Sequence, residues 1–466
     1  MQTDKVYRPY HPHQTLILPP SLDEWLPEGH LAYFIGDLVE HFDLSAIDTV
    51  YEDELRGGPP YHPAMMVKLL LYAYCTGVYS SRRIAKHIHE DVAFRVLAAG
   101  NAPDFRTINE FRRRHLEALS GLFRQVLELA QRAGLVKLEH VALDGTKVRA
   151  NASKHKAMSY DRLCKEEPRL AAEVAEWFRR AEAIDAAEDA KYGSDCRGDE
   201  LPEELRRRES RLRKIREAKA ALEAEAKAKA AQQRAAQAAK AAQVAQQRPP
   251  HRRGRQAQPP RETPADRVQY NFTDPASHIM KNADGAFVQA YNAQAAVDAA
   301  HQLIVATDVT AQPADAPHLA PMATAIEANT GQPPMRLSAD AGYFSEDAVK
   351  ALVANEIDPY IATEKVKHSH PMPPAPRGRI PTDLSVKERM QRKLRTKAGR
   401  AVYKMRKAIV EPVFGQIKQA RGFTRFLLRG LKKVRGEWTL VATAHNLCRL
   451  FAVRPRVDAV LSRATG

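Results

Sequence analysis

Two apolar runs in this chain end on aspartate beside glycine: "VALDG" at residues 141–145 and "RLSADAG" at residues 336–342. Each reads as a short strand with a carboxylate at its end. Between and after them lie further strands and helices. "GAFVQAYNAQAAVD" and "QLIVATDVT" are two strands at hairpin spacing. Residues 313–329 read as a helix, "MRLSAD" as a strand, 345–355 as a helix and "IDPYIA" as a short strand. Residues 386–420 are helical and very basic, and "WTLVATAHNLCRLFAV" is an apolar helix. With residues 160–266 set aside, the order from Leu138 is strand, strand, strand, helix, strand, helix, strand, helix. A chain with that order folds as mixed α/β layers.

The flanking regions differ in character. Residues 20–135 read as helical. Pro63 suits a helix first turn, and "AMMVKLLLYAYC" is a buried helix by its apolar density. "SSRRIAKHIHED" has a Ser N-cap, with Ile84 and Ile88 on one face. Thr107 and Glu110 form a capping-box pattern ahead of Ile108, Phe111, Leu116, Leu119, Leu122, Phe123 and Val126, and Gly134 ends that helix. The basic helix with Arg82, Arg83 and Lys86 fits a helix-turn-helix and a plain helical bundle equally.

Leu170, Val174, Trp177, Ala181 and Ile184 form a heptad seam. Residues 193–198 interrupt it. Leu205, Leu212, Ile215 and Leu222 resume it, with Lys219 standing at a seam position. The pattern then fades into Ala- and Gln-rich sequence, so an antiparallel helical hairpin with a fraying second arm is expected. A basic, Pro-rich and disordered linker follows.

Composition narrows the partners. The formal net charge is +16 and the pI about 9.6, which favours a polyanion, nucleic acid first. No run has the ~18 apolar residues of a membrane span, and the N-terminus lacks a signal-peptide pattern. The four cysteines show no CxxC spacing, which fits a reducing cytoplasm rather than a zinc or disulfide framework.

Three acids stand out. Asp144 closes the first strand and Asp340 the fourth. Glu411 lies in "YKMRKAIVEPVFGQIK". From Lys387 to Arg435 there are 17 Lys or Arg, and the only acids are Glu388 and Glu411. The element order is that of the RNase H-like fold, in which the first and fourth strands are neighbours and the last helix packs beside them. The three carboxylates would then converge. Converging carboxylates repel unless a cation sits among them, and hard oxygen donors suit Mg²⁺. Two such ions fit in-line phosphoryl displacement. Taken singly, an Asp before Gly is an ordinary turn former.

"ALDGTKVRANAS", "SADAGYFS" and "EPVFGQIK" resemble the catalytic segments of DDE transposases from bacterial insertion sequences, closest to the group with a Y-x2-R-x3-E-x6-K signature. "TDPASHIMK", "FVQAYNAQAAVD" and the N-terminal "PPYHPAMMVKLLLYAYCTGVYSSRRIA" are also similar to segments of those enzymes. The resemblance covers nearly the whole chain apart from the Ala/Gln-rich insert. It implies an RNase H-like α/β catalytic core in 136–160 and 267–466, an all-α DNA-end-binding or dimerisation domain in 1–135, and a helical insertion with linker in 161–266. It implies that Asp144, Asp340 and Glu411 hold two Mg²⁺, with Mn²⁺ able to substitute. Tyr343, Tyr403, Arg406, Lys407 and Lys418 are the expected DNA contacts, Tyr343 by stacking on a base or sugar or else packing under its loop. The partners are then transposon terminal inverted repeats and target DNA, with a homodimer in the complex, no membrane, and a cytoplasmic, nucleoid-associated location.

One departure stands in the signature. Four residues, not three, separate Arg406 from Glu411. On a regular helix Lys407 shares the Glu411 face and Arg406 points elsewhere, although Pro412 favours a kink there. A metal nuclease without strand transfer, a non-catalytic DNA-binding derivative and a structural oligomerisation protein are the competing readings.

Overall fold

The structure is a computed structural model and describes residues 21–52, 60–153, 156–192, 203–247, 258–282, 284–364, 374–378, 381 and 383–464. The expected break at 193–198, residues 248–257 of the linker, and 365–373 lie outside those residues.

The main sheet contains β1 (Val141–Arg149), β4 (His278–Lys281), β5 (Phe287–Asp298), β6 (Ile304–Thr310), β7 (Arg336–Ala339) and β8 (Asp358–Ile361). A two-stranded sheet joins β2 (Ala157–Ser159) to β3 (Gln269–Asn271). The main order is β4-β5-β1-β7-β8, and β6 also pairs with β5. β1 runs antiparallel to β5 along nine residues and parallel to β7 from Val141↔Leu337 to Leu143↔Ala339. β5 is buried from Val288 to Asp298, as a strand covered on both faces must be.

Among the described residues seven α-helices precede the sheet: α1 (Leu31–Val39), α2 (Ser45–Glu52), α3 (Pro63–Cys75), α4 (Ser81–Glu90), α5 (Val92–Leu97), α6 (Phe105–Arg114) and α7 (Leu116–Arg132). The capping pattern read at Thr107 lies elsewhere. Asp104 is the N-cap, and its carboxylate accepts the Thr107 amide at 2.7 Å. Thr107 therefore falls inside α6, and the single helix expected there divides at His115.

The insertion is two long helices, α8 (Tyr160–Tyr192) and α9 (Glu203–Gln247). They pack through Leu163, Leu170 and Val174 against Leu212, Ile215 and Leu222. Lys219, the polar residue on the seam, donates to Glu167 at 2.8 Å. The second arm does not fray after Leu222. α9 stays helical through the Ala/Gln-rich stretch, because Ala, Gln, Lys and Glu are strong helix formers even without a partner face.

The remaining helices are α10 (Leu319–Thr330), α11 (Glu346–Ala354), α12 (Val386–Arg395), α13 (Lys397–Gly415), α14 (Leu431–Phe451) and α15 (Arg454–Ala464). α10 begins six residues later than the sequence pattern suggests, which leaves Asp315 in the preceding loop. α14 is the central helix. It packs on α7 and α3 on one side and β6 on another, and one continuous apolar core runs from Phe34 and Leu70 to Leu143, Tyr343 and Trp438. Gly436 permits the contact with α7, since a Cβ there would lie 2.7 Å from Leu116 Cγ.

His445 of α14 is fully buried. Its Nδ1 accepts from Arg421 at 2.9 Å, and its Nε2 donates to the Gln302 carbonyl at 2.9 Å. Burial, then the Arg421 charge, pushes its pKa down to about 3. The unfolded chain thus takes up a proton that the folded chain refuses. The contribution is complete above the ordinary imidazole value of ~6.5 and is lost as pH falls towards 3. We predict that His445 alone removes about 2 kcal/mol of stability between pH 7 and pH 5. Urea unfolding across that range should show this loss, and His445→Gln should flatten the profile while lowering stability at pH 7.

Candidate active site

The pairing of β1 with β7 ends at Leu143↔Ala339, so Asp144 and Asp340 are the next residue on each of two adjacent parallel strands. Neighbouring strands lie roughly 4.8 Å apart. β1 does not stop at Asp144. It continues to Arg149 because β5 still pairs with it after β7 has ended. Asp340 caps the turn that follows β7, its Oδ1 accepting the Gly342 amide at 2.8 Å.

Both oxygens of Asp144 are engaged. Oδ1 accepts the Gly145 amide at 2.8 Å, and Oδ2 accepts from Arg406 Nη1 at 2.9 Å. Burial pushes the Asp144 carboxyl above the usual carboxylate range, against the pull of the Arg406 guanidinium. Arg406 is itself buried, with Nε unpartnered among the described residues. Tyr403 lies beside it, ring centroid 5.9 Å from the guanidinium carbon.

α13 explains this choice of cation. Arg406, Ile409, Val410 and Val413 form its buried face. Lys404, Lys407, Ala408 and Glu411 are exposed. As the helical spacing requires, Lys407 shares the outer face with Glu411 and Arg406 points elsewhere: it turns inward, and its guanidinium is the one that reaches Asp144. Nor does the helix break at Pro412. Proline removes the bond that would have ended on the Ala408 carbonyl, and Gln302 Nε2 donates to that carbonyl instead, at 3.1 Å.

Glu411 is not brought to the two aspartates. Among the described residues no group of three His, Cys, Asp or Glu is placed to hold a metal ion. Lys418 departs from its expected role as a phosphate contact. A π-helical turn at Gln416–Ala420 widens the helix, so seven residues no longer return to the Glu411 face. Lys418 turns inward, donates to the Lys147 carbonyl at 3.0 Å, and has its pKa lowered by burial. Of the two courses open to Tyr343, stacking on DNA and packing under the loop, the structure takes the second. Its side chain is fully buried and its hydroxyl donates to Gln294 Oε1.

The other face of β1 carries residues that the sequence reading missed. Gly145 lacks a side chain, and the space beside it is filled by Asn292, Gln294 and Asp315. Asp315 Oδ1 accepts from Asn292 Nδ2 at 2.6 Å and Gln294 Nε2 at 3.1 Å, with Lys147 Nζ at 3.4 Å. Asn292 Oδ1 is buried with no hydrogen-bond partner among the described residues. A Cβ on Gly342 would lie 3.0 Å from Asp340 Oδ1 and 3.2 Å from Asp315 Oδ2. Asp315 therefore lies against the Asp340 turn at Gly342. The only signal for it in the sequence is a lone acid between two prolines, which reads as a loop.

The donors fit a hard divalent cation in kind. Two aspartates meet at strand ends, and glycine beside Asp340 keeps side-chain atoms out of the space next to its carboxylate. Mg²⁺ commonly takes one or two carboxylates, with water and substrate phosphate completing its shell.

The Transposase domain (DUF772) family matches residues 20–114, and the Transposase DDE domain family matches residues 266–447. Together the two matches support an insertion-sequence DDE transposase. The second match implies an RNase H-like core, with which the mixed sheet is compatible. No curated protein and no solved structure matches the chain. No helix among the described residues is long and apolar enough to cross a membrane.

Arg406 supplies the positive charge beside Asp144. A divalent cation on Asp144 must share or displace it. Arg406→Gln should then tighten Mn²⁺ binding to the DNA-free protein several-fold in calorimetric titration, and Asp144→Asn should weaken it. Equal affinity in wild type and Arg406→Gln would show that the ion pair does not compete with metal.

Proposed function

We propose that this transposase cleaves DNA at the terminal inverted repeats of its element and joins the freed ends to target DNA. The observation that carries the reading is the side-by-side placement of Asp144 and Asp340 at the end of the parallel β1–β7 ladder. Residues 136–160 and 267–466 form the catalytic domain in this reading, 1–135 the end-binding or dimerisation domain, and 161–266 an accessory arm. The protein works in the cytoplasm on nucleoid DNA. Two ends must be joined, so two copies act together.

Asp144 and Asp340 would hold Mg²⁺, or Mn²⁺ in its place, with Glu411 as the third carboxylate. Glu411 would have to turn in from the outer face of α13 when DNA and metal are present. When bound, a pair of divalent ions activates water and stabilises the leaving oxygen. Water adds to phosphorus, the phosphorus–O3′ bond breaks, and the 3′ oxygen leaves as a hydroxyl. That hydroxyl then attacks a target phosphodiester, forming one phosphorus–oxygen bond and releasing another 3′ hydroxyl. Tyr403, Arg406 and the exposed Lys407 lie on the helix that flanks the site and would be its contacts to the DNA backbone in this reading, Arg406 only by leaving Asp144. Lys418 reaches phosphate in this reading only if it leaves the Lys147 carbonyl.

A labelled terminal-repeat duplex tests this. Asp144→Asn and Asp340→Asn should each lower Mg²⁺-dependent cleavage by about a thousandfold, some 4 kcal/mol of barrier, while DNA binding in EDTA holds or tightens. Glu411→Gln should do the same. Asp315→Asn should slow cleavage less, because Asp315 acts through the Asp340 turn. If Glu411→Gln cleaves at the wild-type rate, the third carboxylate lies elsewhere. If ends are cut and never joined, the chain is a nuclease.

A further inference from the structure

A cleft of about 950 Å³ lies away from the acids, among the N-terminal helices. Its walls include Tyr51, Tyr61, Arg82, Phe105 and Arg106, and Leu427 of the C-terminal region closes one side. Two guanidiniums lie over one ring: Arg82 at 5.1 Å and Arg106 at 5.7 Å from the Phe105 centroid. Neither forms an ion pair among the described residues. The acid in the lining, Glu110, is taken by Arg113 through bonds of 3.0 and 2.7 Å. Beneath them Arg112 is 3% exposed, with Nε unpartnered among the described residues.

The cleft is tied to the catalytic sheet. Asn151, two residues past β1, donates to the Leu427 carbonyl at 2.6 Å. The buried Glu437 of α14 accepts the amides of Leu427 and Leu428. At about 3.3 Å per residue, Asn151 lies roughly 20 Å from Asp144 along the strand direction.

Shape and chemistry together select the occupant. Elements that read duplex DNA project into a groove. This feature is a recess, and recesses take strands. Unpaired strands are held by basic side chains on the backbone and aromatic rings under the bases. An arginine stacked on a ring still offers its N–H edge to phosphate. We infer that the cleft between α3, α4 and α6 takes one unpaired DNA strand, with phosphates on Arg82 and Arg106 and a base against the aromatic wall of Phe105, Tyr51 and Tyr61. This rests on the reading of the chain as a DNA-processing transposase and adds to it a second DNA site remote from the acids.

The test uses the full chain and fluorescence anisotropy, with a labelled single strand and the duplex of the same sequence, across a salt series. Arg82→Ala/Arg106→Ala should weaken single-strand binding at least tenfold and lower the slope of log K against log salt by about 1.4, the value for two phosphate contacts on a single strand. Phe105→Leu keeps an apolar side chain at this half-buried position. It should weaken the single strand about fivefold or more with the slope unchanged. Thermal melts of all variants should match wild type. Single-strand affinities equal to wild type in both cleft variants overturn the inference and leave the transposase reading intact. An equal loss on duplex and single strand also overturns it, since the cleft then grips duplex backbone. A wild-type protein that binds neither DNA overturns both readings.

Discussion

The parallel pairing of β1 with β7 is the contact on which the catalytic geometry depends. Three register pairs, from Val141↔Leu337 to Leu143↔Ala339, place Asp144 beside Asp340. Everything around that pairing keeps it in place. β5 pairs along all nine residues of β1. Trp438 of α14 donates its indole N–H to the Gln294 carbonyl of β5 at 2.9 Å. On the face away from Arg406, Asp315 gathers Asn292 and Gln294 beneath Gly145 and Gly342. A side chain at either glycine would displace that network.

The insertion leaves this arrangement undisturbed because an antiparallel hairpin returns the chain to where it left. α8 begins directly after β2, and β3 pairs back on β2. The small sheet thus fixes the two ends of the arm together. Beyond it, the α8–α9 contacts have their own apolar cluster, separate from the main core. The N-terminal helices are different. They share one core with the sheet through α14, so the expected boundary near residue 135 is not a break in packing. That shared core is what lets Leu427 stand at the edge of a cleft built by α3, α4 and α6.

α13 divides its charged residues between two faces. Arg406 is buried against Asp144, while Lys407 and Glu411 look outward. The pair at Asp144 is a partly buried ion pair, and losing one partner would leave the other desolvated and uncompensated. Helical periodicity placed Lys407 with Glu411 correctly. It could not say which of the two faces meets the sheet, because Ile409, Val410 and Val413 on the buried face are no more apolar in pattern than a kinked helix would require. Pro412 weakened the reading further, and the Gln302 side chain that satisfies Ala408 comes from a distant turn.

The sequence by itself determined five strands of the main sheet, β1, β5, β6, β7 and β8, their succession along the chain, and the acids Asp144 and Asp340 that follow the β1–β7 pairing; it did not show β4 or the small β2–β3 sheet. Those features follow from local apolar pattern, glycine position and β-propensity, which act over a few residues. It also carried the heptad seam from Leu170 to Leu222 and the basic character of α12 and α13. Only the tertiary structure decided that Arg406 rather than Lys407 meets Asp144, that Lys418 and Tyr343 turn inward, and that Asp315 lies against the Asp340 turn. Each of those depends on long-range packing between elements far apart in sequence, and on a π-helical turn and a glycine gap whose consequences appear only when two surfaces meet. The cleft around Phe105 belongs to the same class. Its arginines and aromatic rings are visible as letters, but their stacking on a common ring arises from the approach of α4 to α6.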